Sequence, residues 1–296
     1  MKNILIIIAA IVLCAGAARA QQQLNVGLYA PSAAFSDSSA RLAYVQGLAR
    51  AIQQKTGAAT SGRAYVRLAD LTAAKPELAI VDGQCLAGQP MGQVLATASL
   101  GGDAAPAWGL YSRGDASLAA LKGKKLAFVR TGCRDGDFLD NAMLGGEVKA
   151  QSYFGVLVDK PDVSGAVLAV RDYKQADAVF APASQARGLT KVYDAGTVPA
   201  PGFVVLAKGL SAPLLEQVKE AVLGYGGAGG IDGWKAASQQ GYTALAGRMS
   251  ARARRPIFAA PDVVRVDDQD ILVVPASKFA EAPVRHHFWE PSVGGE

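Results

Sequence analysis

The sequence is poor in the residues from which most catalytic and metal sites are built. Of its 296 residues, only two are histidine and three are cysteine. Both histidines, His286 and His287, lie near the C-terminal end, so a cysteine–histidine nucleophile pair has no support. Neighbouring histidines point in different directions on most backbones, and no cysteine or acidic cluster accompanies this pair. We therefore predict surface histidines, no metal, no cofactor and no enzymatic activity.

A strong charge of either sign is also missing. The chain carries 30 basic and 25 acidic side chains, a formal net charge of +5, which is too weak to indicate a nucleic-acid partner. Basic residues do gather toward the C-terminal end, in a cluster of four arginines: Arg248, Arg252, Arg254 and Arg255. A solvated face is the ordinary interpretation of such a cluster, and contact with anionic lipid or a protein partner is the alternative.

Long apolar runs are absent except at the N-terminus. Lys2 precedes the apolar run from residue 4 to 13, and the small residues that follow end in Ala18-Arg19-Ala20. This layout predicts a signal peptide over residues 1–20, cleaved before Gln21. A membrane anchor would need about 20 apolar residues, and Leu13 before Cys14 disfavours a lipoprotein signal. The mature chain is expected to be exported and soluble.

Only Cys85 and Cys133 remain after the predicted cleavage. An exported protein meets an oxidising compartment, so one disulfide is permitted. Spacing alone does not fix pairing. A bridge and two separate thiols therefore both stay open.

Apolar runs and apolar residues at helical spacing alternate along the chain. The predicted strands are residues 24–29, 65–68, 78–81, 107–111, 126–129, 176–180 and 203–207. The predicted helices include one with apolar residues at Leu42, Val45, Leu48 and Ile52, ended by Gly57, and others over 138–144 and 214–223. A last strand is predicted over 271–274. This alternation predicts an α/β fold with parallel strands.

One segment is distinctive, Ser112-Arg113-Gly114-Asp115-Ala116-Ser117-Leu118-Ala119-Ala120-Leu121-Lys122-Gly123-Lys124-Lys125-Leu126-Ala127-Phe128. It resembles the "sxxdLkGkkvaf" segment of type II periplasmic binding proteins, in the phosphonate/phosphite-binding branch of ABC transporter solute-binding proteins. The runs 78–83, 166–180 and 201–213 resemble further segments of that family in the expected order. The resemblance covers roughly residues 24 to 242.

The resemblance implies a two-lobed α/β protein with a solvent-filled ligand cleft between hinged lobes. Lobe 1 would comprise residues 21–106 and 205–242, lobe 2 residues 107–204, and residues 243–296 would form a C-terminal extension. It further implies a monomer in the periplasm that captures a small molecule and delivers it to the membrane permease of an ABC transporter. A sensory module, or a shuttle for lipids or sterols without an importer, is the alternative.

Ligands of open α/β sheets bind beyond the carboxyl ends of the strands, where loops lead into helices. We predict ten ligand-binding residues, most of them in loops that meet this condition: Tyr29, Ser32, Phe35, Asp82, Gln84, Trp108, Thr131, Cys133, Arg134 and Asp135. Tyr29 ends the strand predicted over 24–29, and Trp108 lies in the strand predicted over 107–111. Trp108 fits the core between the lobes as well as it fits a ligand contact.

The loop from Thr131 to Asp137 departs from the phosphonate binders, which resemble one another in a Ser/Thr-rich turn at this place. Asp135 and Asp137 would repel a dianion, and Arg134 could offset only one of them. Each aspartate either caps the following helix, which is the favoured interpretation, or meets a cationic group of a ligand. The loops are otherwise rich in alanine, proline, glycine and phenylalanine. We therefore expect an apolar or amphipathic ligand rather than a phosphonate.

Overall fold

The structure, a computed structural model, describes residues 23–89, 91–114, 117–227 and 229–251. The predicted signal peptide, the histidine pair, the strand over 271–274 and three arginines of the C-terminal cluster lie outside these residues. Within them, no helix combines the length and the apolar character needed to cross a bilayer.

Two separate sheets form the framework. The first consists of six strands in the order β11-β4-β10-β3-β1-β2. Its strands are β1 (Gln23–Tyr29), β2 (Ala59–Ala64), β3 (Leu78–Val81), β4 (Gln93–Ser99), β10 (Gly202–Val205) and β11 (Gly233–Ala236). The second consists of five strands in the order β7-β6-β8-β5-β9. Its strands are β5 (Ala107–Ser112), β6 (Lys125–Val129), β7 (Val156–Lys160), β8 (Ala178–Pro182) and β9 (Thr190–Thr197).

Helices connect the strands in both halves. They are α1 (Ser38–Thr56), α2 (Leu68–Ala74), α3 (Gly83–Gly88), α4 (Asp135–Asp137), which continues into a π-helical segment (Phe138–Met143), α5 (Ala150–Tyr153), α6 (Val163–Arg171), α7 (Ala212–Leu223) and α8 (Gln239–Ser250). Parallel pairing of β1 with β2 and β3, and of β6 with β7 and β8, requires such crossover helices.

The predicted helix at Leu42 to Gly57 illustrates how sequence signals set the helix ends. Asp37 caps α1 by accepting a hydrogen bond from the Ala40 backbone N–H at 2.8 Å. Gly57 ends the helix in the left-handed conformation, with φ 70°. The apolar face of α1 packs on β1 and β2. Contact with β2 is so close that a side chain at Gly62 would collide with the Val45 carbonyl.

The second predicted strand was misplaced. We expected it over residues 65–68, but the strand is β2, Ala59–Ala64, and helix α2 already begins at Leu68. β2 is an edge strand made of small and polar residues, and none of its residues is fully buried. Its composition therefore lacks the apolar run that identifies a buried strand.

The chain crosses between the two sheets twice, between β4 and β5 and again between β9 and β10. The second crossing ends earlier than expected. We placed the return at residue 205, but β10 pairs in the first sheet from Gly202 onward. Gly202 has no side chain to signal a buried strand, so the apolar run in the sequence begins only at Phe203.

Helix α8 spans the predicted start of the C-terminal extension. We expected the first lobe to end at residue 242, but α8 continues to Ser250. Its Tyr242 packs with core residues of the first sheet, whereas Leu245 and Met249 pack with core residues of the second. The helix therefore joins the two lobes.

Candidate functional site

The carboxyl ends of the strands in the two sheets face each other across a small chamber. Its volume is about 10 Å³, which is room for about one water molecule. Twelve residues line it: Ser32, Asp82, Gln84, Trp108, Phe128, Val129, Thr131, Asp135, Phe138, Leu139, Phe180 and Val198. The chamber thus lies where strand-end loops were expected to hold a ligand, but the solvent-filled gap that we expected is closed in this conformation.

One end of the chamber is polar because Asp82 follows the buried strand β3. The carboxylate accepts hydrogen bonds from the backbone N–H of Ser32 at 2.9 Å and of Gln84 at 3.0 Å. The second of these bonds caps helix α3. Asp82 is only 2% exposed, and desolvation by burial raises the pKa of its carboxyl group.

Asp135 supplies a second carboxylate from the opposite lobe. Its Oδ1 accepts hydrogen bonds from the Thr131 hydroxyl at 2.6 Å and from Gln84 Nε2 at 2.8 Å, and its Oδ2 accepts one from the Gly132 backbone N–H at 3.0 Å. Asp135 therefore holds the turn before it. It is not the N-cap of helix α4, since that position belongs to Arg134.

Aromatic and aliphatic side chains form the other walls. Trp108 is 5% exposed, and its ring meets that of Phe138 edge to face, with the centroids 6.0 Å apart. Trp108 thus belongs to a core cluster of the second lobe and also lines the chamber.

Six of the ten predicted residues line the chamber: Ser32, Asp82, Gln84, Trp108, Thr131 and Asp135. Two others lie at its border: the Tyr29 hydroxyl donates to the Thr131 carbonyl at 2.7 Å, and Cys133 follows in the same loop. The remaining two lie away from the chamber, contrary to expectation. Phe35 lies in the core of the first lobe against Tyr44, and Arg134 pairs with Asp137 at 2.8 Å on the outer surface.

Sequence reasoning missed the apolar lining residues Phe128, Val129, Phe138, Leu139, Phe180 and Val198. Phe128, Val129 and Phe180 belong to the strands β6 and β8 themselves, whereas the predicted residues come mainly from the loops beyond the strands. These three strand residues could have been identified from the sequence, because the last residues of central strands lie at the same sheet edge as the loops that follow them.

A disulfide joins the two lobes beside this chamber. Cys85 on α3 is bonded to Cys133 in the loop after β6, and their Cα atoms are 4.9 Å apart. Both residues are buried, at 0% and 4% exposure. The alternative of separate thiols is therefore wrong for this structure.

Noncovalent contacts between the lobes accompany the disulfide. Gln84 Nε2 donates to the Cys133 carbonyl at 3.0 Å. At another point, Arg41 forms an ion pair with Asp162 at 3.3 Å. Next to that pair, the Val163 backbone N–H donates to the Pro31 carbonyl at 2.9 Å. The lobes are therefore held together at more than one place.

The carboxylates of the chamber are engaged by backbone and side-chain donors, and the part of the chain that the structure describes contains neither histidine of the sequence. Among the same residues, no group of three or more histidine, cysteine or acidic side chains could hold a metal ion.

Comparison with known proteins identifies the fold. No protein-family model and no curated protein sequence matches the chain. Solved structures do match: a binding protein component of an ABC phosphonate transporter from Pseudomonas aeruginosa has a TM-score of 0.59 at 14% identity, covering 81% of this chain and 91% of that one. PhnD1 from Prochlorococcus marinus, in complex with methylphosphonate, has a TM-score of 0.58 at 11% identity, covering 77% of this chain and 98% of that one.

A third match widens the range of ligands found on this fold. The protein XAC2383 from Xanthomonas citri, bound to ATP, has a TM-score of 0.58 at 13% identity, covering 77% of this chain and 97% of that one. Identities this low show the fold alone. The predicted α/β, two-lobed fold of type II periplasmic binding proteins is thereby confirmed.

Proposed function

We propose that this chain is a periplasmic solute-binding protein that captures a small molecule between its lobes and delivers it to an ABC transporter permease. The observation that carries the proposal is the convergence of strand-end loops from both lobes at the chamber, the place where this fold type offers backbone donors and loop side chains to a ligand. The chamber has room for about one water molecule in this conformation, so the lobes must open to admit the ligand. The neighbour from Pseudomonas aeruginosa is a binding protein component of an ABC phosphonate transporter, and the one from Prochlorococcus marinus is in complex with methylphosphonate, which supports a binding role.

The ligand is proposed to be apolar or amphipathic, with a cationic or hydrogen-bond-donating end in place of a phosphonate. Asp82 and Asp135 bring two carboxyl groups to the polar end of the chamber, and both contact Gln84. Arg41 does not offset them, because its charge is engaged by Asp162. Among the described residues no lysine or arginine lines the chamber to bind a dianion, and the Asp135 carboxylate would repel one. The walls of Trp108 and Phe138 favour an apolar body.

A second candidate function is favoured by one observation, the disulfide between the lobes. A receptor for an importer alternates between open and closed forms, and a covalent link beside the ligand site opposes that motion. A sensory module or a lipid or sterol shuttle, which need not release its ligand to a permease, is compatible with restricted opening.

The proposal is tested by native mass spectrometry of the mature chain purified from its own envelope. We expect a co-purifying small molecule that is depleted in Asp135→Asn and retained in Asp137→Asn. The two substitutions are matched, since both aspartates belong to α4 but Asp137 pairs with Arg134 outside the chamber. A wild-type spectrum without any small molecule, or equal occupancy in both variants, would overturn the proposal.

Delivery is tested separately from binding. Once the ligand is known, deleting the gene should abolish uptake of that compound into the cell. Unchanged uptake, together with confirmed binding, would instead support the sensory or shuttle function.

A further inference from the structure

A larger concavity borders the chamber at Thr131, which lines both, and Tyr29 also lines it. We call it the outer groove. Its volume is about 930 Å³, and it is lined by Tyr29, Val66, Arg67, Leu68, Ala69, Thr72, Ala73, Lys75, Gln89, Arg130, Thr131, Gly132, Asp159, Lys160 and Pro161. Thr131 is the one lining residue that it shares with the chamber. The outer groove is therefore a distinct place, with about the capacity of a typical ligand site.

Both walls of the outer groove are basic. The first lobe contributes Arg67 and Lys75, and the second contributes Arg130 and Lys160, against the single lining acid Asp159. Four positive charges and one negative charge leave a balance of +3, or +2 when Asp70, the partner of Arg67, is included.

The acidic partners leave much of this positive charge available. The pair of Arg130 and Asp159 spans 3.0 Å with side chains 65% and 45% exposed, and water screens exposed pairs of this kind so that they stabilise little. Lys75 forms no ion pair among the described residues, and Lys160 donates to the neutral amide of Gln175 at 2.6 Å. An anion can therefore replace or join the existing partners at small cost.

Apolar side chains also line the outer groove. Val66 is 68% exposed, which makes it one of few large hydrophobic side chains so exposed in the described chain. Leu68, Ala69 and Pro161 continue the apolar surface within the same groove. Exposed apolar surface bordered by charged residues is characteristic of a binding site.

We propose that the outer groove binds a single amphipathic anion, with a carboxylate or phosphate head between the two basic walls and a hydrocarbon body along the apolar floor. Like charges from opposite lobes repel each other across the groove, and an anion between them offsets that repulsion. The site is separate from the chamber, so this proposal goes beyond the function proposed above. The concave shape fits a free amphiphile, which can lay its hydrocarbon body along the groove, better than the surface of a bilayer.

The test uses 11-(dansylamino)undecanoic acid as a fluorescent probe, at concentrations below those at which it forms micelles. We expect saturable binding to the purified mature chain, weakened at least tenfold in the double variant Lys75→Glu/Lys160→Glu. Lys122→Glu/Lys124→Glu is the matched control, because it makes the same charge change at exposed positions. Both control residues precede β6, whereas Arg130 follows that strand.

Further measurements distinguish binding in the groove from nonspecific adsorption and from attachment to a membrane surface. The uncharged methyl ester of the probe should bind at least tenfold more weakly than the acid. Equal losses in the two lysine variants, or equal affinity for the ester, would overturn the proposal. The proposal would also be overturned if the protein did not bind the free probe but sedimented with phosphatidylglycerol vesicles in a manner that depends on Lys75 and Lys160. Failure of the chamber proposal, by contrast, would leave all of these results unaffected.

Discussion

Removing the disulfide between the lobes is the most informative perturbation of this protein. The double variant Cys85→Ala/Cys133→Ala, made in the chain that starts at Gln21, replaces two buried sulfurs by small apolar side chains. The cysteines are separated by 48 residues, and closing a loop of that length removes chain entropy from the unfolded state worth about 4 kcal/mol. For a domain of this size, such a loss lowers the melting temperature by about 8–16 °C.

The same variant should also change the conformation of the native state. The remaining contacts between the lobes include the hydrogen bonds of Gln84 and Tyr29 and the ion pair of Arg41 with Asp162. These bonds are individually worth only about 0.5–1.5 kcal/mol. The open form should therefore become populated once the covalent link is gone.

Circular dichroism melting and small-angle scattering measure the two effects on the same samples. We expect a lower melting temperature and a larger radius of gyration for the variant, and the same two changes for the wild type under a reducing agent. A melting temperature within about 2 °C of the oxidised wild type, less than the shift from a single kcal/mol, with an unchanged radius of gyration, would refute the view that the disulfide holds the lobes together. Lower stability with an unchanged radius would show that the noncovalent contacts suffice for closure.

Three further predictions concern the chamber and its supports. A side chain at Gly83 would collide with the Pro199 carbonyl at the second crossing, whereas Gly136 has open space around it. Gly83→Ala should therefore lower the free energy of unfolding, measured with urea, by about 1–3 kcal/mol. Gly136→Ala should leave that free energy nearly unchanged. Burial raises the pKa of the Asp82 carboxyl group in the folded state. The protonated carboxyl therefore stabilises the folded protein fully at pH values below about 3.9, the pKa of an aspartate in the unfolded chain. This stabilisation is lost as the pH rises through the pKa of Asp82 in the folded state. The stability of Asp82→Asn relative to wild type should thus increase with pH, and parallel curves would contradict this. Phe138→Ala, at a 6% exposed position, should lower the free energy of unfolding by about 3–5 kcal/mol, and a loss below about 1 kcal/mol would show that this chamber wall is loosely packed.

The sequence predicted the central strands well, because a strand buried on both faces must be continuously apolar. The run Leu78-Ala79-Ile80-Val81 coincides with β3, and residues 126–129 coincide with all but the first residue of β6. The predicted helix over 214–223 likewise matches α7, whose apolar residues recur at helical spacing.

The edge strands were misplaced or missed. β2, β7, β9 and β11 lie at the edges of the two sheets, where each is partly exposed and needs no continuous apolar run. Strand β4, which lies inside the first sheet, was also missed, and its sequence Gln-Val-Leu-Ala-Thr-Ala-Ser mixes polar and apolar residues. Pairing with neighbours, rather than local composition, determines such strands.

For the chamber, the sequence by itself determined which polar loops would meet, since strand order places the residues after β1, β3 and β6 at the same sheet edges. It could not determine how close the lobes lie, because the hydrogen bond between Gln84 and Asp135 joins residues far apart in the chain and forms only when the lobes dock. The disulfide between Cys85 and Cys133 depends on the same docking of the lobes. The number of residues between two cysteines does not tell how close they lie in the folded protein. Periodicity thus specified an α/β fold with parallel strands, and the family resemblance implied two lobes with facing strand ends. The covalent link, the small chamber and the basic outer groove arise from packing between segments distant in the chain.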